Sequence, residues 1–305
     1  MKLEFLLCGS ANDGFFSQMA FFRKCLDHLG GDEAAARLVC VFGDHDLPEI
    51  PARWQPYFAN IDIHWAHEPG AENRFHVRQH NMRFDLIDPN ADVSFICDAD
   101  VAPMRSVAPL AQEIIDDPAL TGAIAHYHFP RDGMERDPQR DWEEIALAVL
   151  GKTIPTPYRY TLLPEHRPPL APFYINFGVF AGTPELLRRF HARDMEIRPM
   201  VEEILNEWWA PQVSIPLTCA DLDLPVRPMP MRWNFPNDEI AEARYPEEAA
   251  NIGLLHYLRP LPCSRSDVFA DRDVFEGYME ETLNGTNAVF QAWVRDVTGG
   301  VFPFP

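Results

Sequence analysis

Apolar residues change their spacing repeatedly along this chain, and each change predicts an element. Residues 3–8 (Leu-Glu-Phe-Leu-Leu-Cys) are almost continuously apolar, as in a strand buried on both faces. Phe15, Phe16, Met19, Phe22, Leu26 and Leu29 then recur at helical spacing, and Asn12 or Asp13 is placed to cap that helix. Residues 38–42 read as a second strand, and 61–65 (Ile-Asp-Ile-His-Trp) alternate as a third. Residues 74–86 predict a helix with Phe75, Met82 and Leu86 on one face. A strand over 93–97, a helix through 111–115 and a strand over 121–127 continue the alternation. This is the rhythm of βαβ units, and it predicts an α/β domain with a mostly parallel central sheet flanked by helices.

The second half is less regular. Residues 128–172 form a Pro- and Arg-rich excursion with one helix, 142–150, and read as a binding loop or lid. Residues 173–182 predict a strand, and 185–207 are mostly helical. An extended, Pro-punctuated stretch covers 224–233, and 252–257 is a short buried strand. Amphipathic helices near 274–283 and 288–297 close the chain. No repeat, low-complexity tract or linker stands out. The expectation is one domain over 1–265, with residues 266–305 as a helical tail packed on it.

Composition narrows the classes. At 305 residues and 47% apolar content the chain can bury one large core. No apolar run reaches membrane-spanning length, and the N-terminus lacks the basic start and small-residue cleavage site of a signal peptide. The chain therefore reads as cytoplasmic, with peripheral membrane contact left open. Six cysteines show no paired spacing, and they read as small buried hydrophobes rather than a thiolate metal site. The formal charge of −20 argues against a nucleic-acid partner. It also means that an anionic substrate needs local positive charge, from a cation or a few arginines.

The densest chemistry lies at Asp98-Ala99-Asp100, where an apolar run stops at two carboxylates. Residues i and i+2 of extended chain point the same way, so both can share one divalent cation. Mg²⁺ and Mn²⁺ sites commonly use few carboxylates and fill the rest with water and substrate phosphates. Asp44-His45-Asp46, Asp221-Leu222-Asp223 and Asp271-Arg272-Asp273 repeat the pattern, as an acidic chain will by chance. Only Asp98 abuts its predicted strand with no Gly or Pro between.

Four features then stand in a telling order: Asp98-Ala99-Asp100, Tyr174-Ile175-Asn176-Phe177-Gly178-Val179, Pro211-Gln212-Val213 and Leu254-Leu255-His256-Tyr257. Over residues 3–260 this resembles the GT-A nucleotide-sugar transferases, closest to glycosyltransferase family 8. The resemblance implies a metal-dependent, retaining transfer of a hexose from a nucleotide-sugar, a UDP-sugar, to a glycan, lipid or protein acceptor. The metal, Mn²⁺ or Mg²⁺, would be held by Asp98, Asp100 and His256, the imidazole nitrogen favouring Mn²⁺. Taken by itself His256 reads more plainly as a histidine ending a core strand; with the other three features in place it reads as a ligand.

The resemblance assigns Asn176 to the donor sugar and Gln212 to the space beneath the reacting carbon. Asn176 lies in an apolar strand where an amide needs a partner, so a structural amide is equally consistent. Gly178 fits close backbone approach to a ligand, or a bulge. Cys8, Gly9, Asn12 and Asp13 occupy the uridine position after the first strand, and Asn12-Asp13 could equally cap the helix. Ala99 between the metal ligands would line the donor, as would an arginine of the 74–86 helix, either Arg78 or Arg83. Three departures stand out. Pro211 replaces an aspartate, His126-Tyr127 stand where the family has a donor-binding aspartate, and Arg259-Pro260 replaces a Lys-Pro-Trp. Arg259 then becomes the diphosphate cation. A sugar nucleotidyltransferase would need a basic Gly-rich loop after the first strand, which Cys8–Asp13 lacks. A non-catalytic nucleotide-sugar binder is the other alternative.

Overall fold

The computed structural model describes residues 1–43, 49–66, 81–129, 137–163, 169–205, 208–259, 261 and 263–304. Among these, ten strands form two sheets. They are β1 (Leu3–Ser10), β2 (Arg37–Gly43), β3 (Asp62–Trp65), β4 (Val93–Asp98), β5 (Val101–Pro103), β6 (Leu120–Ile124), β7 (Ile175–Gly182), β8 (Val226–Pro228), β9 (Phe235–Pro236) and β10 (Leu254–His256). The large sheet runs β3-β2-β1-β4-β7-β6-β8, and every pairing in it is parallel except the two made by β7.

The near-continuous apolar runs are explained by cover on both faces. Phe5, Leu7 and Phe95 point into a core shared with the Asp13–Leu29 helix and the C-terminal helices Arg272–Glu280 and Gly285–Thr298. Leu6, Val39, Ile96 and Phe180 point the other way, toward helices Pro138–Leu150, Pro184–Glu202 and Ala210–Asp221. Glu4, the one charge in β1, is buried but accepts from Ser94 Oγ (2.5 Å), the Asp88 amide (3.1 Å) and Arg37 (3.0 Å). Those partners offset part of its loss of water, and desolvation still pushes its carboxyl up.

Several expectations change in detail. The helix expected over 185–207 stops at Glu202, and a separate helix, Ala210–Asp221, follows. Its Pro211 sits in the first turn, where a missing N–H is harmless. The strand expected to reach residue 127 ends at Ile124. Of the predicted 74–86 helix residues 81–86 are described, and 81–85 are helical. The excursion after β6 is pinned from within: His128 bonds Asp141 (2.9 Å) and Tyr160 (2.7 Å), and Trp142 Nε1 donates to Tyr160 (3.0 Å). No helix among the described residues is long and apolar enough to cross a membrane.

Two features of topology position the site. First, β7 runs against its neighbours, so its N-terminal residues lie at the C-terminal end of β4. The pairing of Cys97 with Val179 puts Gly178 and Asn176 beside the residues that follow Cys97. Second, the chain leaves the large sheet at Asp98, turns, and enters a second sheet of order β5-β10-β9.

Candidate metal centre

The second sheet explains why a histidine far downstream meets the Asp98-Ala99-Asp100 triplet. β10 pairs antiparallel with β5, with His256 opposite Val101, and the Tyr257 amide donates to the Asp100 carbonyl (3.0 Å). His256 is thereby set against the residue that follows Asp100. The ligand atoms of Asp98, Asp100 and His256 all lie within 4.8 Å of one another. His256 Nε2 is 3.2 Å from Asp100 Oδ1 and 3.9 Å from Asp98 Oδ2. The extended geometry expected of the triplet reaches only Asp98. Ala99 and Asp100 form a turn, and the turn brings the second carboxylate back.

The other side of the imidazole is held by amides. His256 Nδ1 is 3.1 Å from Asn234 Oδ1. Asn234 Nδ2 donates to both the backbone carbonyl (3.0 Å) and the side-chain oxygen (3.1 Å) of Asn176. That oxygen also accepts from the Gly178 amide (3.1 Å). Gly178 makes room for the ring itself, since a Cβ there would overlap the His256 imidazole and lie 2.9 Å from Asn234 Oδ1. The close approach expected at Gly178 is thus to a protein side chain.

The electrostatics of the three groups are linked. Desolvation pushes the Asp98 carboxyl up, and the adjacent Asp100 carboxylate adds to the rise. Desolvation acts on Asp100 as well, but His256 and Arg265 outweigh it and hold that carboxyl below its usual range. Burial opposes a charge on His256, yet the two carboxylates win and raise its pKa. Arg265 Nη1 lies 2.7 Å from Asp100 Oδ2 and donates to the Leu258 carbonyl (2.9 Å). The cluster gathers positive charge around its carboxylates. A divalent cation fits it: ligand atoms at about 2.0–2.2 Å from one ion lie about 3–4 Å from each other, as the imidazole and the carboxylates do here.

The remaining predicted residues divide. Asn12 is the helix N-cap, its side chain accepting from the Phe15 amide (3.1 Å). Asp13 accepts from Trp54 Nε1 (2.8 Å) and pairs with Arg53, which holds its carboxyl below the usual range. Gly9 clears space for the Phe15 ring, and Cys8 is buried, its thiol pushed up to about 11 by desolvation. Ala99 is buried in the core. Arg83 is also fully buried. It donates to the Cys97 carbonyl (2.8 Å), next to Asp98, and lies over the Phe177 ring. Arg78 and Asp44-His45-Asp46 lie outside the described residues. Arg259 pairs with Asp238 (3.0 Å), and its amide donates to Asn237 (2.9 Å). Gln212 stands in the first turn of Ala210–Asp221, half-buried, with no side-chain hydrogen bond among the described residues.

Sequence reasoning missed Arg265 and Asn234. Arg265 follows Ser264 in a polar stretch with no periodicity. Asn234 lies in the extended 224–233 region's shadow, next to Trp233. Only the three-dimensional neighbourhood distinguishes them from surface residues. His126 is buried with Nδ1 on Thr161 Oγ1 (2.9 Å) and Nε2 unpaired among the described residues. Burial, aided by the positive charge of His256 and Arg259, pushes its pKa down to about 3.

No family model matches the sequence, and no curated protein does. Solved structures do resemble it. Glycosyltransferase GlyE of Streptococcus pneumoniae matches with a TM-score of 0.51 at 12% identity, over 97% of this chain and 61% of GlyE. The chain thus spans about three-fifths of that protein. The galactosyltransferase LgtC, solved with donor and acceptor sugar analogs, gives a TM-score of 0.49 at 13% identity over 84% of this chain and 87% of LgtC. Mouse xyloside xylosyltransferase 1 gives 0.49 at 12% identity over 86% of this chain and 100% of the other. The fold is that of the GT-A glycosyltransferases, an α/β fold with a mostly parallel central sheet.

Proposed function

We propose that the protein is a glycosyltransferase that moves a hexose from a UDP-sugar to a glycan, lipid or protein acceptor. Asp98, Asp100 and His256 hold Mn²⁺ or Mg²⁺. The observation that carries this reading is the convergence of those three ligand atoms, from two distant chain segments, at the C-terminal end of β4 in a mostly parallel sheet. Ligands of open α/β sheets bind at that end. The ion, when bound, neutralises charge on the departing diphosphate. The bond from anomeric carbon to diphosphate oxygen breaks, one from the same carbon to an acceptor hydroxyl oxygen forms, and the hydroxyl proton passes to the departing diphosphate. Retention of configuration rests on the family resemblance alone.

The chain's own residues then have distinct tasks. Arg265, half-exposed, is better placed than Arg259 to reach the diphosphate, because it pairs with Asp100 of the ligand cluster itself whereas Arg259 pairs with Asp238. Asn176 offers its NH₂ to a sugar hydroxyl, its oxygen being already used by Gly178 and Asn234. Gln212 is assigned to the sugar's reacting carbon by the family resemblance. Pro211, where the family has an aspartate, favours a second reading, a nucleotide-sugar binder without turnover.

A panel of UDP-hexoses assayed for UDP release with Mn²⁺, and again after chelation, tests both readings. Mn²⁺-dependent release that Asp100→Ala lowers by roughly a hundred- to ten-thousandfold supports the enzyme. Binding of UDP-sugar with no release under any condition leaves the binder. An Asp100→Ala variant with full activity removes the metal from the reading.

A further inference from the structure

We propose that Asn234 is a positioning residue that fixes the tautomer of His256, placing the ring proton on Nδ1 and turning an unprotonated Nε2 toward Asp98 and Asp100. This rests on the reading of those three residues as metal ligands. The argument is one of hydrogen-bond polarity. A backbone carbonyl only accepts, and a backbone N–H only donates. The atom of Asn234 that lies 3.0 Å from the Asn176 carbonyl must therefore be the NH₂. The same NH₂ lies 3.1 Å from Asn176 Oδ1, and that atom is fixed as an oxygen because it accepts from the Gly178 N–H. With the amide oriented by two backbone groups, its oxygen faces His256 Nδ1 at 3.1 Å. An oxygen that accepts there requires the proton on Nδ1. The reversed amide would set oxygen against oxygen at Asn176.

The consequence lies on the opposite edge of the ring. With Nδ1 carrying the proton, the neutral ring turns a lone pair toward Asp100 Oδ1, 3.2 Å away. Two acceptors at that distance repel unless a positive charge lies between them. The amide pair thus creates a site that is unfavourable when neutral and favourable with a cation. The opposite tautomer would bond to Asp100 directly and compete with an ion. Partners on the far nitrogen commonly orient a ligating histidine, and their loss weakens binding by about 10- to 100-fold. Gly178 and Asn176 serve the same end, Gly178 by leaving room for the ring and by donating to Asn176, and Asn176 by orienting Asn234.

The test reads the ring before any metal is added. Long-range ¹H–¹⁵N spectra of metal-free protein, at a pH high enough to make the imidazole neutral, report which nitrogen of His256 carries the proton. The expected result is a protonated Nδ1 and a pyridine-like Nε2. In Asn234→Leu the proton moves to Nε2, where Asp100 accepts it, and Mn²⁺ affinity by calorimetry falls about 10- to 100-fold. Asn234→Asp keeps an oxygen facing Nδ1 while losing the bonds to Asn176, and it retains the wild-type tautomer. A wild-type ring protonated on Nε2, or an Asn234→Leu variant that keeps the proton on Nδ1, overturns the proposal. If Asn234→Leu does not fold, the wild-type and Asn234→Asp spectra decide it. A wild-type protein with the expected tautomer and no affinity for Mn²⁺ sinks the metal reading and leaves the tautomer assignment standing.

Discussion

At Gly178 the absence of a side chain has a direct energetic meaning. Gly178→Ala drives a methyl into the His256 ring and toward Asn234 Oδ1. Overpacking of this kind costs about 1–3 kcal/mol. We expect that loss in urea unfolding, together with weaker Mn²⁺ binding by calorimetry; unchanged metal affinity would show that the ring tolerates displacement. His126 gives a second test at this scale. Its pKa is pushed down to about 3, against about 6.5 in an unfolded chain. Between those values the unfolded state binds a proton that the folded state does not. Stability from this group is therefore complete above about pH 6.5 and is lost as pH falls toward about 3, with a slope of up to about 1.4 kcal/mol per pH unit. His126→Asn should flatten that part of a stability–pH curve measured by urea denaturation. A slope that the variant shares would place the acid sensitivity in other groups. Much of the site was legible in single residues: two aspartates after an apolar run and a histidine ending another. Asn234 and Arg265 were not, because their roles come from partners far away in sequence, Asn176 and Asp100.

At the scale of elements, most of the large sheet and its covering helices followed from apolar periodicity, because its central strands are buried on both faces. The second sheet did not. β5 and β9 have three and two residues, and each ends in proline. No pattern of alternation can develop over that length, yet β5 decides where His256 lies. The Ala210–Asp221 helix is hidden for a different reason: it carries two helix-breaking residues, Pro211 in its first turn and Pro216 inside it. The C-terminal helices support β10 from behind. Phe290 stacks on Tyr257 with ring centroids 4.7 Å apart, and Phe269 stacks on Phe21 at 4.1 Å. Tyr257 is the residue after His256. Phe290→Ala should thus cost about 3–5 kcal/mol of stability, as for other buried aromatics, and weaken Mn²⁺ binding as well. A thermal or urea transition that splits in two would show that residues 266–305 unfold separately from the rest.

For the whole molecule, the charge of −20 sets the terms on which an anion can approach. Repulsion from the acidic surface is long-ranged at low salt and is screened within about 10 Å at 0.1 M ionic strength. On the proposed function, a nucleoside diphosphate gains its affinity locally, from Arg265 and a cation on the Asp98–Asp100–His256 cluster. We expect UDP affinity, measured by calorimetry, to collapse when a chelator is added, and the association rate with Mn²⁺ present to hold or increase as salt rises from low values. UDP binding that ignores the chelator would remove the cation from this account. A fall in rate with added salt would mean that the field around the cleft is positive despite the overall charge.

The parts of the site are also spread widely along the chain: Asp98 and Asp100, then Asn176 and Gly178, then Asn234, His256 and Arg265. During synthesis the ribosome releases the two aspartates long before the histidine that completes them. Large α/β chains fold through partly assembled states, and contacts this distant in sequence close late. The nascent protein therefore carries two crowded, uncompensated carboxylates until β10 adds to β5. On the proposed metal reading, acquisition of metal becomes a late event of biogenesis, and a metal-loaded molecule is one whose last strand has already found its place.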